Sequence, residues 1–142
     1  MTRFVIDPGV LVSAFISSKK TAPALLVDAI LDGSLDVLAC PVLVAELTDV
    51  LGREKFAAHA AEGRAAAYIA ALLDQATMVD DPAPGSTRTA DADDDYLVAL
   101  AEVHEAEAIV SGDRHVLDAA SSELQVLTPR ELADRLGLPA AD

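Results

Sequence analysis

The sequence has no Trp, three Phe and two Tyr, so aromatic residues make up only 4% of its 142 residues. A core built from this chain must be aliphatic, and Ala, Leu and Val supply it within a hydrophobic fraction of 52%. One cysteine, Cys40, excludes an internal disulfide. Its setting, Leu38-Ala39-Cys40-Pro41, reads as the buried end of a strand with an inert thiol. The three histidines, His59, His104 and His115, are not spaced like a zinc site. No Gly-rich phosphate loop and no Gly-x-Ser-x-Gly nucleophile turn is present, so Ser13 has no partner in a serine-hydrolase arrangement.

Long apolar runs are also missing. The first run, from Phe4, breaks at Asp7-Pro8-Gly9, so neither a secretory leader nor a membrane span is expected and the cytoplasm is the expected compartment. Basic residues are scarce too. Ten Lys and Arg stand against 24 Asp and Glu, a formal net charge of -14. The local clusters are Lys19-Lys20 and Arg53 with Lys55. A general nucleic-acid binder needs clustered cations, and this chain is not one on that ground. An acidic protein can still process RNA when bound cations reverse the sign of its site, or when a basic partner does. Most of these acids need no such explanation, because a charged surface keeps a protein soluble.

What is present is an alternation of short β-branched runs with longer Ala/Leu stretches. Strands are expected at Phe4-Val5-Ile6, Leu35 to Ala39, Thr77-Met78-Val79, Ala108 to Val110 and Leu124 to Leu127. Helices are expected over Ala22 to Leu31 with Gly33 as stop, Val42 to Leu51 started by Pro41, Lys55 to Ala76 with a break near Gly63, Asp93 to Glu105, Arg114 to Ala120, and Pro129 to Leu136. Asp80 to Ala90, with Pro82, Pro84 and Gly85, is a loop. This alternation predicts an α/β fold, a parallel sheet with helices on both faces, in a single domain over residues 1–142.

The placement of acids is the informative feature. Asp7 directly follows the first strand, and Asp113 follows Ala108-Ile109-Val110 after Ser111-Gly112. Ligand sites of open parallel sheets lie beyond the carboxyl ends of the strands. Each of these acids also fits a helix cap or a solvated turn. Glu46 shares a helix face with Val42, Leu43 and Val50, where a carboxylate is costly unless paired with a cation, an Arg or water. Asp91, Asp93, Asp94 and Asp95 crowd one helix start. One or two acids there suit the helix dipole, whereas several repel each other and suggest a cation. Asp94 leads the face of Leu97 and Ala101 and is the first choice, with Asp93 and Asp91 second; Asp95 is rotated away. Carboxylates without His or Cys companions suit Mg²⁺ or Mn²⁺.

These segments, taken in order, resemble the PIN domain family. The residues that carry the resemblance are Phe4-Val5-Ile6-Asp7 with Val10-Leu11-Val12-Ser13-Ala14, then Val44-Ala45-Glu46-Leu47, then Asp91 to Ala101, then Ile109-Val110-Ser111-Gly112-Asp113. Within that family the chain is most similar to VapC-like toxin components of bacterial toxin-antitoxin pairs. The resemblance implies a three-layer α/β/α fold around a mainly parallel sheet of four to five strands. It implies a metal-dependent endoribonuclease, with Mg²⁺ or Mn²⁺ held by Asp7, Glu46, Asp94 and Asp113 directly or through water, and Ser111 orienting the site. It also implies an RNA substrate cut by metal-activated water, a basic antitoxin protein and a homodimer. In place of the small polar residue and Asn or Ser that usually follow the first Asp, this chain has Pro8 and Gly9. That exchange removes a side-chain hydrogen bond and, at Pro8, a backbone N–H beside Asp7. The alternative is therefore a catalytically degenerate PIN-like scaffold acting through protein or RNA binding only. A phosphatase with Asp7 as nucleophile is a third reading, which Gly9 disfavours because such enzymes usually carry a second acid there.

Overall fold

A computed structural model describes residues 2–60, 63–83 and 95–138. Along the chain, β1 (Arg3–Ile6) is followed by α1 (Pro8–Ile16) and α2 (Ala22–Leu31), then β2 (Asp36–Ala39) and α3 (Pro41–Leu51). A 3₁₀ turn at Glu54–Phe56 leads to α4 (Ala57–Ala60), α5 (Arg64–Gln75) and β3 (Thr77–Met78). The described chain ends with α6 (Asp95–Val103), β4 (Ala108–Val110), α7 (Arg114–Leu117), β5 (Val126–Leu127) and α8 (Pro129–Arg135).

The five strands form one sheet in the order β3-β2-β1-β4-β5. Every pairing is parallel, with Phe4 opposite Val37 on one side and Ala108 on the other. Strands buried on both faces read as continuous apolar runs, and Phe4-Val5-Ile6 and Ala108-Ile109-Val110 are of that kind. Helices cover both faces. Contacts of α6 with β1 and β4 and of α5 with β2 attach helices to the sheet, while α1 packs on α2 and α3, and α2 packs on α8.

Local chemistry explains the helix boundaries. Four helices start with proline in their first two positions, where its missing N–H costs nothing. Thr21 caps α2 through a bond from the Ala24 N–H. Cys40 gives α3 no side-chain cap; the Asp81 carboxylate instead accepts the Val42 N–H at 2.8 Å from 39 residues away. The Cys40 side chain is fully buried, and burial pushes its thiol pKa up, away from reactivity. Gly63 takes φ +76° and separates α4 from α5, at the expected break. An apolar cavity of about 30 Å³ lies under α3 and α5, lined by Ile6, Leu38, Leu43 and Leu72 among others. Its size and lining mark a packing void.

Several boundaries differ from expectation. Helix α7 ends at Leu117 rather than Ala120, because the Ala119 and Ala120 amides bond three residues back, to Val116 and Leu117. The last strand pairs only at Val126–Leu127. Leu124 is buried but its N–H bonds the Ser121 hydroxyl, which takes it out of the ladder. The expected start of α6 at Asp93 lies outside the described residues.

Candidate active site

In the strand order β3-β2-β1-β4-β5, successive strands step one way from β1 to β3 and the other way from β4 to β5. The crevice between the carboxyl ends of β1 and β4 is therefore a topological switch point, where open parallel sheets bind ligands. Asp7 stands at the end of β1, and its backbone N–H donates to Val110 O of β4 at 2.9 Å. Ser111 extends β4, and its N–H donates to Leu127 O of β5 at 2.9 Å.

Both acids of this crevice are helix caps. Asp7 caps α1, with its Oδ1 accepting the Gly9 N–H at 3.0 Å. Asp113 caps α7, with its Oδ1 accepting the His115 N–H at 2.8 Å. Ser111 joins them. Its hydroxyl, fully buried, donates to Asp7 Oδ2 at 2.7 Å and accepts the Asp113 N–H at 3.0 Å. The Asp7 carboxylate, 8% exposed, is thus held through both oxygens.

The Pro8-Gly9 exchange has a milder effect than the sequence suggests. Proline's missing N–H falls at the first helical position, and the Gly9 N–H supplies a bond to Asp7. A Cβ at position 9 would meet Asp7 Oδ1 at 3.6 Å, an ordinary contact, so the site does not require glycine for space.

Glu46 reaches the same region from α3. The helix buries Leu43, Leu47 and Leu51, and Glu46 stands half-buried beside that stripe. The Tyr96 hydroxyl donates to Glu46 Oε1 at 3.3 Å. Burial first, and then the neighbouring Glu46 and Asp7 carboxylates, push the Tyr96 phenol far above its usual range. Tyr96 thus meets Glu46 as a neutral donor. Sequence reasoning missed it: it stood inside the acidic helix start, but nothing in the spacing announces a contact with a residue 50 positions earlier.

Asp7, Glu46 and Asp113 line one cleft of about 510 Å³, together with Pro8, Gly9, Ser13 and Pro129 among others. Among the described residues no Lys, Arg or His lines it. Asp94, Asp93 and Asp91 lie outside the described residues, and Asp95 is half-buried at the start of α6. Among the described residues, no group of three or more His, Cys, Asp or Glu side chains is arranged to hold a metal ion. The donor chemistry, carboxylates with a hydroxyl and no sulfur, nevertheless fits a hard divalent cation rather than zinc. His115 is exposed, with Nδ1 3.8 Å from the Asp113 carboxylate.

Comparison with known proteins is consistent with this layout. Among curated proteins, no sequence matches the chain. The crystal structure of PAE2754 from Pyrobaculum aerophilum superimposes with a TM-score of 0.60 over 96% of this chain and 90% of that one, at 17% identity. At that identity the likeness is one of fold. The PIN domain family model matches residues 3–115, and PIN domains are generally nucleases that typically bind divalent metals. The match takes in β1 through β4 and the acids at their ends, and the chain belongs to the PIN domain family.

Proposed function

We propose that this protein is a Mg²⁺- or Mn²⁺-dependent endoribonuclease, the VapC-like toxin of a toxin-antitoxin pair acting in the cytoplasm. One observation carries the reading: three carboxylates, Asp7, Glu46 and Asp113, share a cleft at the switch point with no lining cation among the described residues. Such a cleft repels a phosphodiester unless a metal reverses its sign. Asp7, Glu46 and Asp113 would hold the metal, with Asp94 as fourth acid by its sequence position and Asp93 or Asp91 as substitutes. A bound divalent cation would supply charge neutralisation at the phosphate and a water acidic enough to attack it at neutral pH.

The chain's own residues do the rest. Ser111 and the Gly9 N–H fix the Asp7 carboxylate before any ligand arrives, which removes reorganisation from the binding step. The Tyr96 hydroxyl donates to Glu46 and orients its carboxylate in the cleft. An acidic surface of net charge -14 attracts a basic antitoxin. Among the described residues, no helix is long and apolar enough to cross a membrane.

The test is cleavage of single-stranded and structured RNA by the purified chain, with Mg²⁺, with Mn²⁺ and with EDTA. Cleavage that needs the metal and disappears in Asp7→Asn supports the enzyme; no cleavage of any RNA by a folded chain removes it. The second reading is the degenerate scaffold. It rests on Pro8 and Gly9, which stand beside Asp7 where the family usually carries polar side chains. It predicts RNA or partner binding that is indifferent to Mn²⁺. Coexpression with a small basic protein encoded beside the gene, followed by analytical ultracentrifugation, tests the antitoxin and homodimer assignments together.

A further inference from the structure

A second cleft, of about 580 Å³, opens where the end of α1 meets α2 and α5. Three of the chain's ten basic residues, Lys19, Lys20 and Arg64, line it, with Asp28 as its one acid among the described residues. Two of the five aromatic side chains line it as well: the Phe15 and Tyr68 rings, both half-buried against the core, lie 4.8 Å apart at centroid. The Arg64 guanidinium sits 5.5 Å from the Phe15 ring centroid. Tyr68 is held in place by its hydroxyl, which donates to Leu11 O at 2.7 Å. Lys20 pairs with Asp28 at the surface, with side chains 68% and 52% exposed, an ion pair of the kind a phosphate displaces readily.

In a chain so poor in both cations and rings, their meeting in one cleft needs a reason. Grooves that track single-stranded nucleic acid combine scattered Lys and Arg with aromatic faces for base stacking. An Arg lying on a ring keeps its N–H edges free for phosphate oxygens. The cleft also adjoins the candidate active site. Ser13 lines the acidic cleft and Ala14 the basic one; Pro23 lines the first and Ala24 the second. Helix α1 runs between them, capped by Asp7 and nine residues long, about 14 Å at 1.5 Å per residue. The far end of α1, where the basic cleft opens, therefore lies a few nucleotides of single strand from Asp7.

We infer that the Phe15, Lys19, Lys20, Arg64 and Tyr68 cleft is an exosite for the single-stranded RNA segment flanking the bond to be cut. The inference rests on the nuclease reading for its substrate, and it assigns substrate affinity to a place outside the acidic cleft. An acidic peptide could also answer the charge of Lys19, Lys20 and Arg64, but it offers no succession of flat rings for Phe15 and Tyr68.

The test separates binding from chemistry. Fluorescence anisotropy with a labelled twelve-nucleotide single-stranded RNA, in EDTA, reads affinity with no turnover. The double substitution Lys19→Glu with Lys20→Glu, both exposed, should weaken binding at least tenfold. It should also flatten the salt dependence by about 0.7 in log–log slope for each phosphate that is no longer neutralised. Arg64→Ala should weaken binding severalfold. In Mg²⁺, the double substitution should raise KM for the same RNA at least tenfold with kcat changed less than twofold. Binding that follows the lysines without any cleavage keeps the exosite and removes the nuclease. Cleavage with binding and KM indifferent to the lysines removes the exosite and keeps the nuclease. No RNA binding by the wild type, or tighter binding of a poly-glutamate peptide than of RNA, overturns the exosite.

Discussion

Two junctions of the sheet begin alike and end differently. At β1–α1 and at β4–α7 an aspartate caps a helix by accepting the N–H two residues on, at 3.0 Å and 2.8 Å. Asp7 starts a nine-residue helix packed on two others, and its second oxygen is taken by Ser111. Asp113 starts a four-residue helix and keeps its side chain 44% exposed. The same cap therefore makes one carboxylate a fixed part of the core's edge and leaves the other partly exposed at the cleft. The difference lies in what surrounds the cap, since the local motif is shared.

Substitution can break that comparison, beginning with the largest effect. Asp7→Asn keeps a good cap but loses a charge, so the chain should stay folded by circular dichroism while metal-dependent RNA cleavage falls by at least about 100-fold. Wild-type turnover by that variant would end the assignment of Asp7. Alanine sharpens the contrast through stability. Asp7→Ala removes the cap and strands the buried Ser111 hydroxyl, at a combined cost of about 2–3 kcal/mol, whereas Asp113→Ala removes only a cap, at about 0.5–1 kcal/mol. Thermal melts should show a difference of several degrees between the two; equal melting temperatures would mean the two junctions are alike after all.

Ser111→Ala acts on both junctions at once. It leaves the Asp113 N–H and one Asp7 oxygen without partners, which should cost about 1–3 kcal/mol and lower kcat roughly tenfold. Tyr96→Phe removes one long bond to Glu46 and should cost under about 1 kcal/mol, with a rate change of a few fold. A third junction, β5–α8, serves as the control. Thr128 and Glu131 satisfy each other there in a reciprocal cap, and Pro129 only lines the cleft. The Thr128 backbone and side-chain bonds hold the Glu131 carboxyl below its ordinary pKa. Stabilisation from a depressed carboxyl is present above its unfolded pKa and fades as pH falls through the folded value. Glu131→Gln should therefore melt slightly lower than wild type at pH 7, with the gap narrowing as pH falls below the ordinary glutamate range and cleavage unchanged.

Much of this was legible in the sequence because its signals are local. The extent of α2, Ala22–Leu31, follows from Thr21, Pro23 and the stop at Gly33, which takes φ +84°. The expected strand Phe4-Val5-Ile6 forms and is buried, and the sheet is parallel throughout, with five strands. Long-range features were not legible. Nothing in the residues of β1 and β4 says that they are neighbours, and the link from Asp7 to Ser111 spans 104 positions. Glu46 borders an apolar face, as its helical spacing predicts, yet its Tyr96 donor belongs to another helix and leaves no trace in the periodicity of α3. The Asp81 cap on α3 was hidden for the same reason.

The central claim is that acids from separate strand and helix ends share one divalent cation. Calorimetric titration of Mn²⁺ into the wild-type chain, Asp7→Asn and Asp113→Asn tests it without any RNA. Saturable binding by the wild type, weakened at least tenfold in each variant, is the predicted result. Identical titrations for all three, or no heat from a folded wild-type chain, would contradict it.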